Sequence, residues 1–381
     1  MDSTPLKANA RAPRPAPAWI WGPAGRDTQL ARAISDLTVG EFLGSTRELL
    51  SCARDADQHD RRAYCTSVLA AVIVRRRLSC DERWLADEPE SPDALLLHAR
   101  VLAVRAIHAS RARAKYAAEM AAQAAEACRD AARAASADPT PWVALLSLGE
   151  CGPHLPELRP SAPAPDGLPV LGPWGVLAEI LERAPFSREA IHRLIPCCRA
   201  APPAAATGTP IAEAVGSTDA QDAAARALVA VWAADRAPSG SPLKLLRLMH
   251  SPERDPSPDP AEEIRLTNYL GSNGQSSREE YLRDRIPAIE ERWRLALRVG
   301  AANLSAAWFA GGAEPPYMPL SDISFLAHYL YRVGEHRAAR LALEWMIPHA
   351  TVEPWQHEGD PAEVLAEVCR ECRIPPDRLP C

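Results

Sequence analysis

From Gln29 onward, apolar residues recur every three or four positions in one segment after another. EFLGSTRELLSCA, RAYCTSVLAAVIVRR, DALLLHARVLAVRAI, AKYAAEMAAQAAEACRDAARAA, DAAARALVAVWAA, REEYLRDRIPAIEERWRLALRV and SFLAHYLYRV each carry the apolar spacing of an amphipathic helix. No stretch alternates in the way a half-buried strand would, so the expected fold class is all-α. The separators are turn and helix-start dipeptides: Ser91-Pro92, Asp138-Pro139, Ala184-Pro185, Ser241-Pro242, Pro315-Pro316 and Glu353-Pro354.

Pro92, Pro139 and Pro185 stand 47 and 46 residues apart. Two near-equal steps predict a unit of helix, turn, helix and Pro-marked connection, with PDALLLHARVL, PTPWVALLSLG and PFSREAIHRLI as equivalent first helices. The segment DISFLAHYLYRVGEHRAARLALEWMIPHATVEPW is more specific. Leu326, Ala327, Leu330, Gly334, Ala339 and Leu343 follow the order large apolar, small, large, Gly, Ala, large. Ala327 and Ala339 allow close approach of paired helices, Gly334 relaxes the turn between them, and the leucines fill the interface. Upstream, ACRDAARAASADP repeats a second-helix ending through Ala127, Ala134 and Pro139.

On these residues the chain resembles tetratricopeptide-like helical-repeat proteins over about residues 90–200 and 320–375. In its Ala, Arg and Pro bias it is similar to proteins of GC-rich bacteria. The resemblance implies an irregular helical array, an α-solenoid or α-α superhelix, interrupted by Pro-rich loop insertions at 151–173, 199–218 and 251–261. The expected organisation is an extended Pro/Ala-rich arm over 1–25, a helical-repeat region over 26–200, a linker over 201–218, a second helical-repeat region over 219–375 and a tail over 376–381. Trp19 and Trp21 stand out in the arm, and two Trp there are expected to dock on the body or on a partner.

Composition narrows the function. Lys and Arg total 43 against 49 Asp and Glu, and the net charge of −6 lacks the basic stripe of a nucleic-acid binder. Arg75 to Arg77 and Arg111 to Lys115 read as helix ends. The start of the chain has no continuous apolar core of a secretory signal. The run Val68 to Val74 is about a third of a membrane span, so a cytoplasmic protein with no membrane partner is expected. Most of the ten Cys are then expected as reduced, small core residues.

Candidate chemistry is sparse. Cys369 and Cys372 form one C-x-x-C without a second pair, and two thiols on one inward helix face account for it. Cys197 and Cys198 are adjacent. Glu189 and His192 match half of a two-metal helical-bundle module, and no second half follows. His59-Asp60 resembles the pair of helical phosphohydrolases but has no upstream His. Asp55, Asp57 and Asp60 resemble the Asp-rich element of isoprenoid cyclases, whose second element fails at Tyr281. Phosphate loops, G-x-S-x-G and H-E-x-x-H are absent. The expectation is therefore no metal and no cofactor.

In a tetratricopeptide-like pair the first helix lines the concave groove. This implies groove positions Ser324, His328, Tyr331 and Arg332, with His98 and His192 on other first helices. Such polar and aromatic residues suit a peptide, and they also suit a solvated surface. The leading expectation is a protein- or peptide-binding scaffold. The alternative is an all-helical enzyme, metal-dependent or not, whose His and acidic residues converge in a pocket. A dimerising structural subunit, and hence a homo-oligomer, is a third reading.

Overall fold

Asp27 starts the first helix by accepting a hydrogen bond from the Leu30 N–H at 3.0 Å. Ser91, Ser187 and Asp360 cap later helices in the same way. The computed structural model describes residues 19–152, 170–200, 219–249, 298–309 and 317–379, with isolated positions between 153 and 169. The fold is all-α. Its helices are α1 (Thr28–Gly40), α2 (Gly44–Asp55), α3 (His59–Arg76), α4 (Cys80–Asp87), α5 (Pro92–Arg111), α6 (Ala117–Ala134), α7 (Thr140–Ser147), α8 (Trp174–Arg183), α9 (Arg188–Leu194), α10 (Asp219–Arg236), α11 (Leu246–Met249), α12 (298–309), α13 (Leu320–Arg332), α14 (His336–Met346) and α15 (Pro361–Glu371).

Apolar faces gather into three buried clusters. Leu30, Leu37, Leu49, Leu69, Ile73 and Trp84 build the N-terminal one, from α1 to α5. The central cluster runs from α3 to α11 and is rich in alanine. The C-terminal cluster joins Leu326, Leu330, Leu343, Met346 and Trp355. Between α5 and α6 the contact is made of small side chains: Ala99, Ala103, Ala106, Ala121, Ala124, Ala125 and Ala131 are at most 1% exposed. Ala103→Leu should therefore overpack this seam and lower stability by about 1–3 kcal/mol, as read from urea unfolding.

The hairpin of α13 and α14 has the layout its spacing predicts, with Gly334 in the turn at φ 78°. Equal first helices are not found: α5, α7 and α9 have 20, 8 and 7 residues. Helix α7 is short because it tightens into a 3-10 turn over Leu148–Cys151 that packs on Ile195–Cys197, where a Cβ at Gly149 would meet the Cys197 sulfur.

Two strand pairs were not anticipated, because two residues are too few to show alternation. β1 (Ile20–Trp21) runs parallel to β4 (His349–Ala350), and β2 (Val170–Leu171) runs antiparallel to β3 (Arg199–Ala200). Through β1 the end of the arm crosses to the C-terminal part. Trp19 is 7% exposed in that core, whereas Trp21 remains 41% exposed. Residues 1–18, the 201–218 linker, the 251–261 insertion and most of the helix expected around Tyr281 lie outside the described residues. The start of the tail is ordered as a 3-10 turn, Pro376–Arg378. No helix among the described residues is long and apolar enough to cross a membrane.

Candidate functional site

Ser324, His328, Tyr331 and Arg332 share one face of α13, and the chain's own C-terminal segment engages it. Trp355 donates its indole N–H to Ser324 Oγ at 2.7 Å. His328 Nε2 and an Arg332 nitrogen lie 2.7 and 3.0 Å from Glu358 Oε1, and the Tyr331 hydroxyl donates to Glu371 at 3.0 Å. His98 is paired through Nδ1 with the buried Asp81 at 2.9 Å. His192 is half-buried on α9, where its charge helps to hold the Glu189 carboxylate. Cys369 and Cys372 are buried in the C-terminal core, and burial pushes their thiols up to about 12 and about 11.

An open concavity among the described residues lies elsewhere. A cleft of about 1220 Å³ forms where α1, α3, α9 and α13 begin, and α12 and α14 contribute aromatic rings to it. Gly25 makes this meeting feasible: it sits at φ 52°, and a Cβ there would lie 3.1 Å from Leu320 Cβ. Tyr64 and Tyr317 form one ring pair at 6.2 Å between centroids. Trp308, Phe309 and Trp345 form a run with successive separations of 6.2 and 5.7 Å. Arg26 stacks over Trp345 at 4.9 Å and donates to its carbonyl oxygen.

Most charges at the cleft are already engaged. Arg61 holds Asp27 through two nitrogens at 2.9 Å and also donates to Gln29 and Gln58. Asp60 caps α9 from another helix, accepting from Ser187 Oγ at 2.7 Å, Arg188 N at 3.0 Å and Glu189 N at 3.2 Å. Burial raises the Asp60 pKa, and these three donors oppose the rise. Asp57 differs: its side chain is exposed and accepts no hydrogen bond among the described residues. His59 Nδ1 is buried without a partner.

Behind Asp60 a buried ionic network joins the N-terminal helices to α13. Arg188 donates to both Asp322 oxygens, at 2.7 and 2.5 Å, and to Glu189 at 2.9 Å, while Arg193 donates to Glu189 at 2.8 Å. Burial disfavours the Arg188 charge, but Asp322, Glu189 and Asp60 outweigh it and raise its pKa. Burial also pushes Glu189 upward, and Arg193, Arg188, His192 and Arg100 reverse this to hold it at about 2.

The nucleophilic groups nearby are not activated. Burial raises Cys65 to about 12 and lifts both Tyr64 and Tyr317 above the ordinary phenol value, so all three stay protonated at neutral pH. Among the described residues no group of three or more His, Cys, Asp or Glu converges as a metal ion would require.

No family model, curated protein or solved structure matches this chain.

Sequence reasoning did not assemble the cleft. Its residues come from positions 23–29, 57–64, 184–187, 308–309, 317–320 and 345. The one local signal was the series of helix starts, in which Asp27 precedes an apolar run and Ser187 stands three residues before Ala190. DADQHD is resolved as a helix-end cluster: α2 ends at Asp55 and α3 begins at His59.

Proposed function

We propose that this chain is a binding module whose cleft receives an extended segment of a partner protein or peptide. The observation that carries the reading is the aromatic lining of the cleft beside hydrogen-bonding groups left unengaged among the described residues, namely Asp57 and the Trp345 indole N–H. Aromatic rings supply contact area at low entropic cost, and polar groups between them fix the backbone of a bound chain. Proton-transfer chemistry has less support, because Asp60 is spent on the α9 N–H groups instead of orienting His59. The tetratricopeptide-like resemblance belongs to the same proposal. In that case the binding surface is the cleft at the helix starts, since the α13 face is engaged internally.

The test is selection of a displayed peptide library on the full chain, followed by titration of the enriched peptides. Trp345→Ala should weaken the enriched peptides by tenfold or more, about 1.4 kcal/mol. Equal titration curves for the parent and Trp345→Ala proteins would overturn the reading.

A further inference from the structure

We propose that the segment recognised by the cleft is proline-rich, in the polyproline II conformation, with an arginine or lysine beside its proline run. This rests on the cleft being a peptide site. Three features of the lining carry it.

The rings are the first. Trp308, Phe309 and Trp345 meet at 73° and 42°, and Tyr64 meets Tyr317 at 55°. Rings at these separations touch one another, and an aromatic-lined groove is the kind of surface on which proline-rich segments dock. A polyproline II helix presents the same face to such a lining every three residues, about 9 Å apart.

Free donors are the second feature. A polyproline II backbone makes no internal hydrogen bonds, so its carbonyl oxygens need external donors. The Trp345 indole N–H and the side-chain amide groups of Gln29 and Gln58 donate to nothing among the described residues. Both glutamines are held through their oxygens by Arg61, which leaves the NH2 groups free to turn toward a ligand.

Charge is the third. The lining carries Asp27, Asp57 and Asp60 against Arg26 and Arg61. Arg61 and Asp27 neutralise each other, Arg26 is seated on Trp345, and Asp60 is bound by three donors. Among the described residues of the lining Asp57 remains as the accessible unpaired carboxylate, so a cationic side chain complements it and an acidic one is repelled.

The experiment is a fluorescence-anisotropy titration of the full chain with three labelled peptides of equal length: a proline run with one arginine, the same run with glutamate in place of arginine, and a leucine-alanine sequence that keeps the arginine. The first should bind at least tenfold more tightly than either of the others. Asp57→Asn should remove the preference for arginine over glutamate. Asparagine suits this position because it tolerates the left-handed backbone at φ 52°. Trp345→Ala should weaken the proline peptide, and Asp57→Asn provides the readout that does not depend on a core-contacting ring. If the leucine-alanine peptide binds as well or better and remains sensitive to Trp345→Ala, the proline assignment is overturned and the peptide site survives. If no peptide binds in a way that either substitution changes, both are overturned.

Discussion

Arg188→Ala should lower the unfolding free energy by about 3–5 kcal/mol, because it strands the buried Asp322 without its cation and leaves Glu189 to Arg193. Asp322 is 0% exposed and Glu189 is 1% exposed, and neither can regain water without separating α13 from α9. The loss should be seen by urea denaturation and, more locally, as faster amide exchange in α13 and α14 than in the α5–α6 seam. A cost below about 1 kcal/mol would mean that the network does not join the two parts of the molecule. Replacing Arg188 and Asp322 together with apolar residues of similar volume should be less harmful than Arg188→Ala, since Glu189 keeps Arg193 and no buried carboxylate is left without a cation.

The second large effect is on acid stability, through Glu189. Its pKa is depressed from the ordinary 4.5 to about 2, so its contribution is fully present above pH 4.5 and disappears as the pH falls toward 2. At 1.36 kcal/mol per unit this is about 3 kcal/mol. Asp60 acts in the opposite sense: its pKa is raised, so protonation relieves a cost as the pH falls through its folded value. Comparing the parent with Glu189→Gln isolates the first effect. The parent should lose stability steeply between pH 4.5 and 2, and the variant should show a shallower limb. Parallel curves would sink the assignment of Glu189 as the acid-sensitive group.

The two effects and the cleft share one origin, the meeting of helix starts. Each helix exposes unpaired N–H groups at its first turn, and four such ends converge here. Asp27 satisfies α1 locally, whereas Asp60 satisfies α9 from 127 to 129 residues away. Supplying Asp60 and Asp322 to α9 and its Arg188 ties the cleft floor together and leaves Asp57 outside that network.

Helical periodicity, capping residues and Pro punctuation determined by themselves where most helices begin and end, because those preferences act over three or four residues. Ser91-Pro92 was legible as a start, and Gly334 as the turn of the last hairpin. Local pattern could not decide which ends meet. Asp60 reads as one of several aspartates at a helix end until α9 is placed against it. Likewise, Ser324 and His328 read as a groove until Trp355 and Glu358 fold over them. The paired rings Tyr64, Trp308, Phe309, Tyr317 and Trp345 come from α3, α12, α14 and the segment before α13, and only packing of the three apolar clusters brings them within stacking distance. Helix identity is written in short-range spacing, whereas the Arg188–Asp322 pair and the cleft depend on contacts between residues more than a hundred positions apart.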